Sequence, residues 1–417
     1  MEFPDLNKRS ILYLMTSLNR EERHLIAIQG LYFFAGGLAS IFVTIFLFAH
    51  SDLRTTIFFQ FWTFSSTLFF FELSGWSLRK FSSGAHMKLS VATSALFYLL
   101  LFILQDRTIR YLIPLALLNG FGIGIYWAAY NLNQYIFSNE AKREQYFGYS
   151  SALVNMLSAV APFLGGVIIF IGSSLWYGAS AGYAILFFLV FLLRAFMIFF
   201  IGKLPSHEMP LFSYRHMFTK HRSRRWTLVL WQHILFGMYD IALGTVTGVL
   251  FYLILKEEVW VGAVQTVGYI LGTVGGVTCA KLLEKQHRYF WVGAIGLSAA
   301  LVVFALFQNP VGLWIFVIIS GFTGPFLNTW ISSLWFQTMD TIADHFRNKY
   351  HLLLERDMAL GLSRIVSLAF LYIYLSYGDQ VALAKEWLYF LPILPLGIGI
   401  LLHMSGSPEK KHLSKGM

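Results

Sequence analysis

The stretch WQHILFGMYDIALG, residues 231–244, sets Asp240 in the middle of an apolar run, residues 226–255, that holds no other formally charged side chain. As a helix rising about 1.5 Å per residue, such a run is long enough to cross the roughly 30 Å of hydrocarbon in a bilayer. Composition names the solvent: 57% of the residues are hydrophobic and only 12% charged, too little charge to cover a water-soluble surface. Similar runs recur along the whole 417-residue chain, which therefore reads as a polytopic membrane protein.

Working outward from Asp240, twelve spans are expected: 24–49, 55–78, 87–104, 110–137, 146–171, 180–202, 226–254, 259–280, 289–307, 310–338, 357–376 and 383–404. Helices are the natural element, because the runs lack period-2 alternation and a helix satisfies its own backbone in lipid. Placing both termini in the cytoplasm puts 24 of the 31 Lys and Arg on the inside, five outside and two, Arg194 and Arg364, within spans. That asymmetry supports the topology, since one helix too many or too few would scramble it. Residues 1–23 hold only a short apolar patch at 11–15 between charged flanks, which predicts a surface helix rather than a cleaved signal. The single cysteine, Cys279, offers neither a disulfide nor a thiolate cluster, and no metal or organic cofactor is expected.

The polar segment 203–225 follows the sixth span and separates an N-terminal bundle, 24–202, from a C-terminal bundle, 226–404, with a tail at 405–417. The two bundles echo each other at an offset of 201 residues: Gly75 and Lys80 recur as Gly276 and Lys281, and Gly120-Phe121 as Gly321-Phe322. A shared offset at equivalent spans points to duplication. The G-x-G-x-G at 120–124 sits in mid-span with no preceding strand, so it reads as helix packing and not as a nucleotide loop. The linker's basic run, SYRHMFTKHRSRR, is expected to fix topology and touch anionic lipid rather than nucleic acid.

Two motifs then carry a resemblance. The second loop reads GWSLRKFSSG, with Gly75, Arg79, Lys80 and Gly84 in place but no carboxylate, and the fifth span carries Ala161, Pro162, Gly165 and Gly166 in an A-P-x-x-G-G pattern. With the twelve spans and basic central loop, this resembles the major facilitator superfamily over essentially the whole chain. The resemblance implies an all-α membrane fold of twelve helices in two pseudo-symmetric six-helix bundles, acting as a monomer, with spans 1, 4, 7 and 10 lining a central cavity. It also implies gating roles for Gly75, Arg79, Lys80, Pro162, Gly165 and Gly166, and the span-5 pattern, associated with antiporters, leans toward export.

Ionisable groups inside spans are costly and usually face a partner, a cavity or the bundle interior. Asp240, about 20 Å into span 7, is the candidate for proton coupling; His233, one heptad earlier, projects from nearly the same face about 10 Å away. The alternative for Asp240 is a structural acid bonded to a neighbouring helix. Glu72 and Arg364, each about 9–11 Å from the cytoplasmic face by the same rise, are expected to pair across the two bundles and gate them. Arg194 reads as a snorkelling or structural residue. Gln29, Tyr126, Trp127, Tyr130, Asn131, Gln134 and Asn328 give the cavity-lining spans an aromatic and amide surface suited to a neutral, amphipathic or sugar-like solute.

The expected function is a secondary transporter of a small organic solute in a bacterial inner membrane, proton-coupled and leaning toward export. No GxxxxGK[ST] phosphate loop is present to drive it with ATP. A membrane-embedded transferase using His233 and Asp240, and a lipid flippase, are the alternatives.

Overall fold

The computed structural model describes residues 18–137, 143–175, 179–205, 207, 214, 223–283, 287–342 and 346–406. The expected surface helix at 11–15, most of the linker 203–225 and the tail beyond Gly406 lie outside the described residues. Among the described residues the structure is helical throughout: α1 (Arg20–Ala49), α2 (Leu53–Ser77), α3 (Ser83–Leu104), α4 (Leu112–Phe137), α5 (Arg143–Leu175), α6 (Ala179–Ile201), α7 (Arg224–Leu255), α8 (Glu258–Leu283), α9 (Phe290–Leu306), α10 (Pro310–Ile342), α11 (Phe346–Tyr374), α12 (Gln380–Trp387) and α13 (Ile393–Met404). Eight helical stretches are long and apolar enough to cross a membrane, and the chain is a multi-pass membrane protein.

The helix boundaries have local causes. α1 begins before residue 24 because Asn19 and Glu22 form a reciprocal cap, the Glu22 N–H donating to Asn19 Oδ1 at 2.7 Å and the Asn19 N–H to Glu22 Oε2 at 2.8 Å. α2 carries its hydroxyls in lipid by bonding them to its own carbonyls: Ser65 to Phe61 O at 2.7 Å, Thr67 to Thr63 O at 2.8 Å and Ser74 to Phe70 O at 2.7 Å. The twelfth expected span is two pieces. Pro392 and Pro395 have no N–H to return to the preceding turn; Tyr389, Phe390 and Leu394 donate to the carbonyls three residues back, and Ser298 of α9 donates to the Pro392 carbonyl at 2.6 Å.

The chain divides into two compact units. The first comprises Met1–Phe212 with Gly248–Ile270, and the second Ser213–Thr247 with Leu271–Met417. Segment Gly248–Ile270, the end of α7 and the first half of α8, is expected from the sequence in the second bundle but packs with the first; glycine contacts described below explain why.

Within the first unit, α2 and α4 approach closely through Gly120 and Gly124, where an added Cβ would lie 2.2 Å from Thr63 O and 2.5 Å from Thr67 O. Ser66 Oγ donates across this seam to Leu117 O at 2.7 Å, and on the other side of α4 Ser90 Oγ donates to Gly122 O at 2.6 Å. The G-x-G-x-G of α4 is thus a packing device facing two neighbours. In the second unit α8 and α10 approach as closely, but the glycine has changed partner: a Cβ on Gly275 of α8 would lie 2.1 Å from Phe322 O of α10.

Candidate functional site

In the second unit, Arg364 of α11 donates through Nε to both carboxylate oxygens of Asp240, at 3.0 and 3.2 Å, and through Nη2 to Oδ2. This is a bidentate, charge-assisted pair. It is enclosed but not sealed, with side-chain exposures of 14% for Asp240 and 21% for Arg364. The sequence makes the meeting possible one turn earlier. An added Cβ on Gly237 would lie 2.2 Å from Ser363 Oγ and 2.6 Å from Leu360 O, so α7 and α11 touch nearly backbone to backbone. One turn on, Ser367 Oγ donates to Met238 O at 2.5 Å. These contacts join residues 237–240 of α7 to residues 360–367 of α11 and bring Asp240 and Arg364 together.

The sequence places Arg364 nearer the cytoplasmic face and opposite Glu72; within its own unit the structure gives it Asp240 as a partner. α11 starts at Phe346, eleven residues before the expected span, so Arg364 lies about 27 Å from its helix start and Asp240 about 24 Å from that of α7. The charged stretch 346–356 is helical without being apolar, and hydropathy marks only the apolar part. The same stretch contributes an unforeseen pair, Arg356 Nη2 donating to Asp357 Oδ1 at 2.5 Å with its guanidinium 4.2 Å from the Trp335 ring centroid. Glu72 is half-buried in α2 of the first unit. His233 is 5% exposed and its Nδ1 hydrogen-bonds Val229 O of its own helix at 2.8 Å.

The first unit holds the expected aromatic and amide surface. Gln134 Nε2 donates to Tyr130 OH at 3.1 Å, Tyr130 OH donates to Gln29 Oε1, and Ser150 Oγ donates to the same oxygen at 2.5 Å. Gln29, Tyr126 and Tyr130 are buried and bind α1, α4 and α5 together, whereas Trp127, Asn131 and Gln134 stay half-buried and offer contact area. Tyr32, which nothing local in the sequence singles out, stacks on Tyr126 at 3.5 Å between centroids, and Phe33 meets Trp127 edge-on at 5.9 Å. Asn328, on α10 of the second unit, is exposed.

The A-P-x-x-G-G residues of α5 split between two faces. On one, Ala161 meets Gly37 and Gly165 meets Leu38 O of α1, where added Cβ atoms would lie at 2.9 and 2.3 Å. On the other, Gly166 lies against the Glu258 carbonyl, 2.6 Å from an added Cβ, and Gly262 lies as close to Pro162 O, at 2.3 Å. Thr266 Oγ1 adds a bond to Ala159 O at 2.5 Å, and Tyr183 OH one to Glu258 Oε1 at 2.8 Å. These contacts hold the start of α8 in the first unit. At the other motif Gly75 is buried near the end of α2, Arg79 is exposed, and Lys80 lies with its ammonium 4.7 Å from the Trp76 ring centroid.

No protein-family model matches the chain. The uncharacterised protein YqgE of Bacillus subtilis (strain 168) is 22% identical over 376 residues, 88% of this chain and 84% of that one. Among solved structures, a D-xylose–proton symporter superposes with a TM-score of 0.72 at 12% identity, covering 93% of this chain and 98% of its own. The nucleoside transporter NupG superposes with a TM-score of 0.66 at 13% identity, covering 93% of this chain and 99% of its own. Identities this low speak to fold alone, and the chain shares the fold of these transporter structures.

Proposed function

We propose that the chain is a secondary transporter of a small organic solute, working by alternating access and coupled to protons through the Asp240–Arg364 pair. The observation that carries this reading is the pair itself: two opposite charges inside membrane helices, bidentate yet partly accessible. Protonating Asp240 would cancel the attraction and leave Arg364 without its counter-charge, a large local change for one proton. The likeness to a D-xylose–proton symporter and a nucleoside transporter supports a carried solute of that general size. Both termini are assigned to the cytoplasm on the Lys and Arg asymmetry. Trp127, Asn131 and Gln134 are the solute-contacting groups in this reading, and export is favoured by the span-5 pattern. The Pro162–Gly262 and Gly166–Glu258 contacts serve as a gate that must open once per cycle, with Gly75, Arg79 and Lys80 serving the opposite side.

A membrane-embedded transferase is the weaker reading, because His233 is bonded to its own helix and Asp240 to Arg364, so the two do not form an acid–base couple. Purified protein in proteoliposomes, loaded with a radiolabelled pentose or nucleoside, tests the proposal. An imposed pH gradient should change the rate of solute flux, and Asp240→Asn should abolish that response. A gradient response that persists in Asp240→Asn would remove the coupling role.

A further inference from the structure

Where α2 turns into α3, the first unit carries a cavity of about 260 Å³ that the transport reading leaves unused. One face of α2 supplies Phe70, Leu73, Ser74 and Ser77, at the i, i+3, i+4, i+7 spacing that stacks side chains along a helix. Phe81 of the turn, Leu89 of α3 and Phe121 and Ile125 of α4 close further sides, Phe70 and Phe121 meeting edge-on at 4.6 Å. Leu73, Phe81, Ala85 and Leu89 are exposed, so the cavity opens to the surroundings of these helices, which for a multi-pass membrane protein are lipid.

Three polar side chains line it, and each is already bonded. Ser74 Oγ donates to Phe70 O at 2.7 Å, Ser77 Oγ lies 2.6 Å from His86 Nε2, and His86 Nδ1 lies 3.0 Å from the Ser82 carbonyl. A proton on Nδ1 answers that carbonyl and leaves Nε2 to accept from Ser77, so both ring nitrogens are used. A polar solute would find no idle hydrogen-bond group there, and the volume falls below the roughly 300–1,000 Å³ of pockets that enclose drug-sized ligands. A hydrocarbon chain needs neither, and it restores the dispersion contacts that a void denies its lining.

The charge beside the cavity is of one sign. From residue 73 to residue 105 the chain holds Arg79, Lys80 and Lys88 and no Asp or Glu, and all three cations are exposed. Arg79 and Lys80 sit between two lining residues, Ser77 and Phe81, in a turn closed by the Lys80 and Phe81 N–H groups donating to Ser77 O at 2.9 Å. Each is therefore at most two Cα steps, about 8 Å, from a lining residue. The Lys80 ammonium lies 4.7 Å from the ring centroid of the exposed Trp76, a pairing of amphipathic side chains that suits the level of lipid headgroups.

We infer that this cavity holds one acyl chain of an anionic phospholipid whose phosphate is met by Arg79 and Lys80. Bilayer hydrocarbon is as apolar as the cavity, so retention depends on packing and on headgroup charge rather than on escape from water. The site lies wholly in the first unit, is read by lipid binding rather than solute flux, and does not depend on proton coupling at Asp240.

The test titrates full-length purified protein in detergent with phosphatidylglycerol, with phosphatidylcholine of the same chains, and with glycerol phosphate as a headgroup without chains, counting bound lipid by native mass spectrometry. The parent should retain one phosphatidylglycerol in preference to phosphatidylcholine, and glycerol phosphate should not displace it. Arg79→Gln/Lys80→Gln should weaken phosphatidylglycerol about 25-fold, about fivefold per cation, and leave phosphatidylcholine unchanged. The exposed pair just beyond the other end of α3, changed as Arg107→Gln/Arg110→Gln, should have no such effect. Ala85→Trp, which sets an indole into the cavity, should lose the retained lipid. Should that variant fail to fold, a photoactivatable group at the chain terminus of phosphatidylglycerol gives the same answer on the parent, by labelling within residues 70–89 or 121–125. Equal retention of the two lipids, displacement by glycerol phosphate, equal losses in the two double variants, lipid retained by Ala85→Trp, or labelling confined elsewhere would overturn the inference.

Discussion

Arg364 and Arg194 are both enclosed within helices of this protein, and they are answered differently. Arg364 in the second unit meets Asp240 in a bidentate pair, whereas Arg194 in the first meets the face of Tyr32 and leaves two nitrogens unbonded among the described residues. The first solution is internally complete, so perturbing it should damage the protein. The second rests on a ring face and leaves donors unanswered by side chains among the described residues. Total charge does not distinguish them; the identity of the group one helix away does.

The largest effect is expected at the complete pair. Asp240→Asn or Arg364→Gln should each cost about 3–5 kcal/mol, because either leaves a buried charge without its partner, whereas the double variant should recover most of that loss. Denaturation in lipid nanodiscs would measure the cycle; additive losses would mean that the pair is not coupled. Arg194→Met should, by contrast, cost far less than Arg364→Gln, since no ion pair is broken.

A second effect separates the seams that build the two units. Gly120→Ala should force α4 from Thr63 of α2, and Gly275→Ala should force α8 from Phe322 of α10, each at a cost of about 1–3 kcal/mol. Gly244, with open space around its Cβ position, is the control, and Gly244→Ala should be near neutral or slightly stabilising. Equal Tm values for all three variants would contradict the close approaches. The smallest effect belongs to the ring under Arg194: Tyr32→Leu should cost up to about 2 kcal/mol while Tyr32→Phe keeps most of the stability, as a cation–π contact requires.

Much of this is legible from residues alone, and the limits have physical causes. Long apolar runs locate the helices, and the isolated charge in residues 226–255 singles out Asp240. The partner of Asp240 is not legible, because it depends on the close approach of α7 and α11 at Gly237, which no local pattern announces. The last span reads as continuous because Pro392 and Pro395 sit in a run whose hydropathy gives no sign of a break. The G-x-G-x-G of α4 reads as packing and packs. Tyr32 cannot be distinguished beforehand: aromatic residues make up 18% of the chain, and nothing local marks the one that lies under a guanidinium.

The most direct test uses the Asp240→Asn/Arg364→Gln double variant, which is expected to fold yet has no carboxylate at position 240 to protonate. Solute flux would be followed in proteoliposomes across a range of imposed pH gradients, beside the parent protein. Flux that no longer responds to the gradient, in a variant whose Tm is close to that of the parent, is the predicted result. Gradient-driven flux equal to that of the parent would show that protons are coupled elsewhere or not at all.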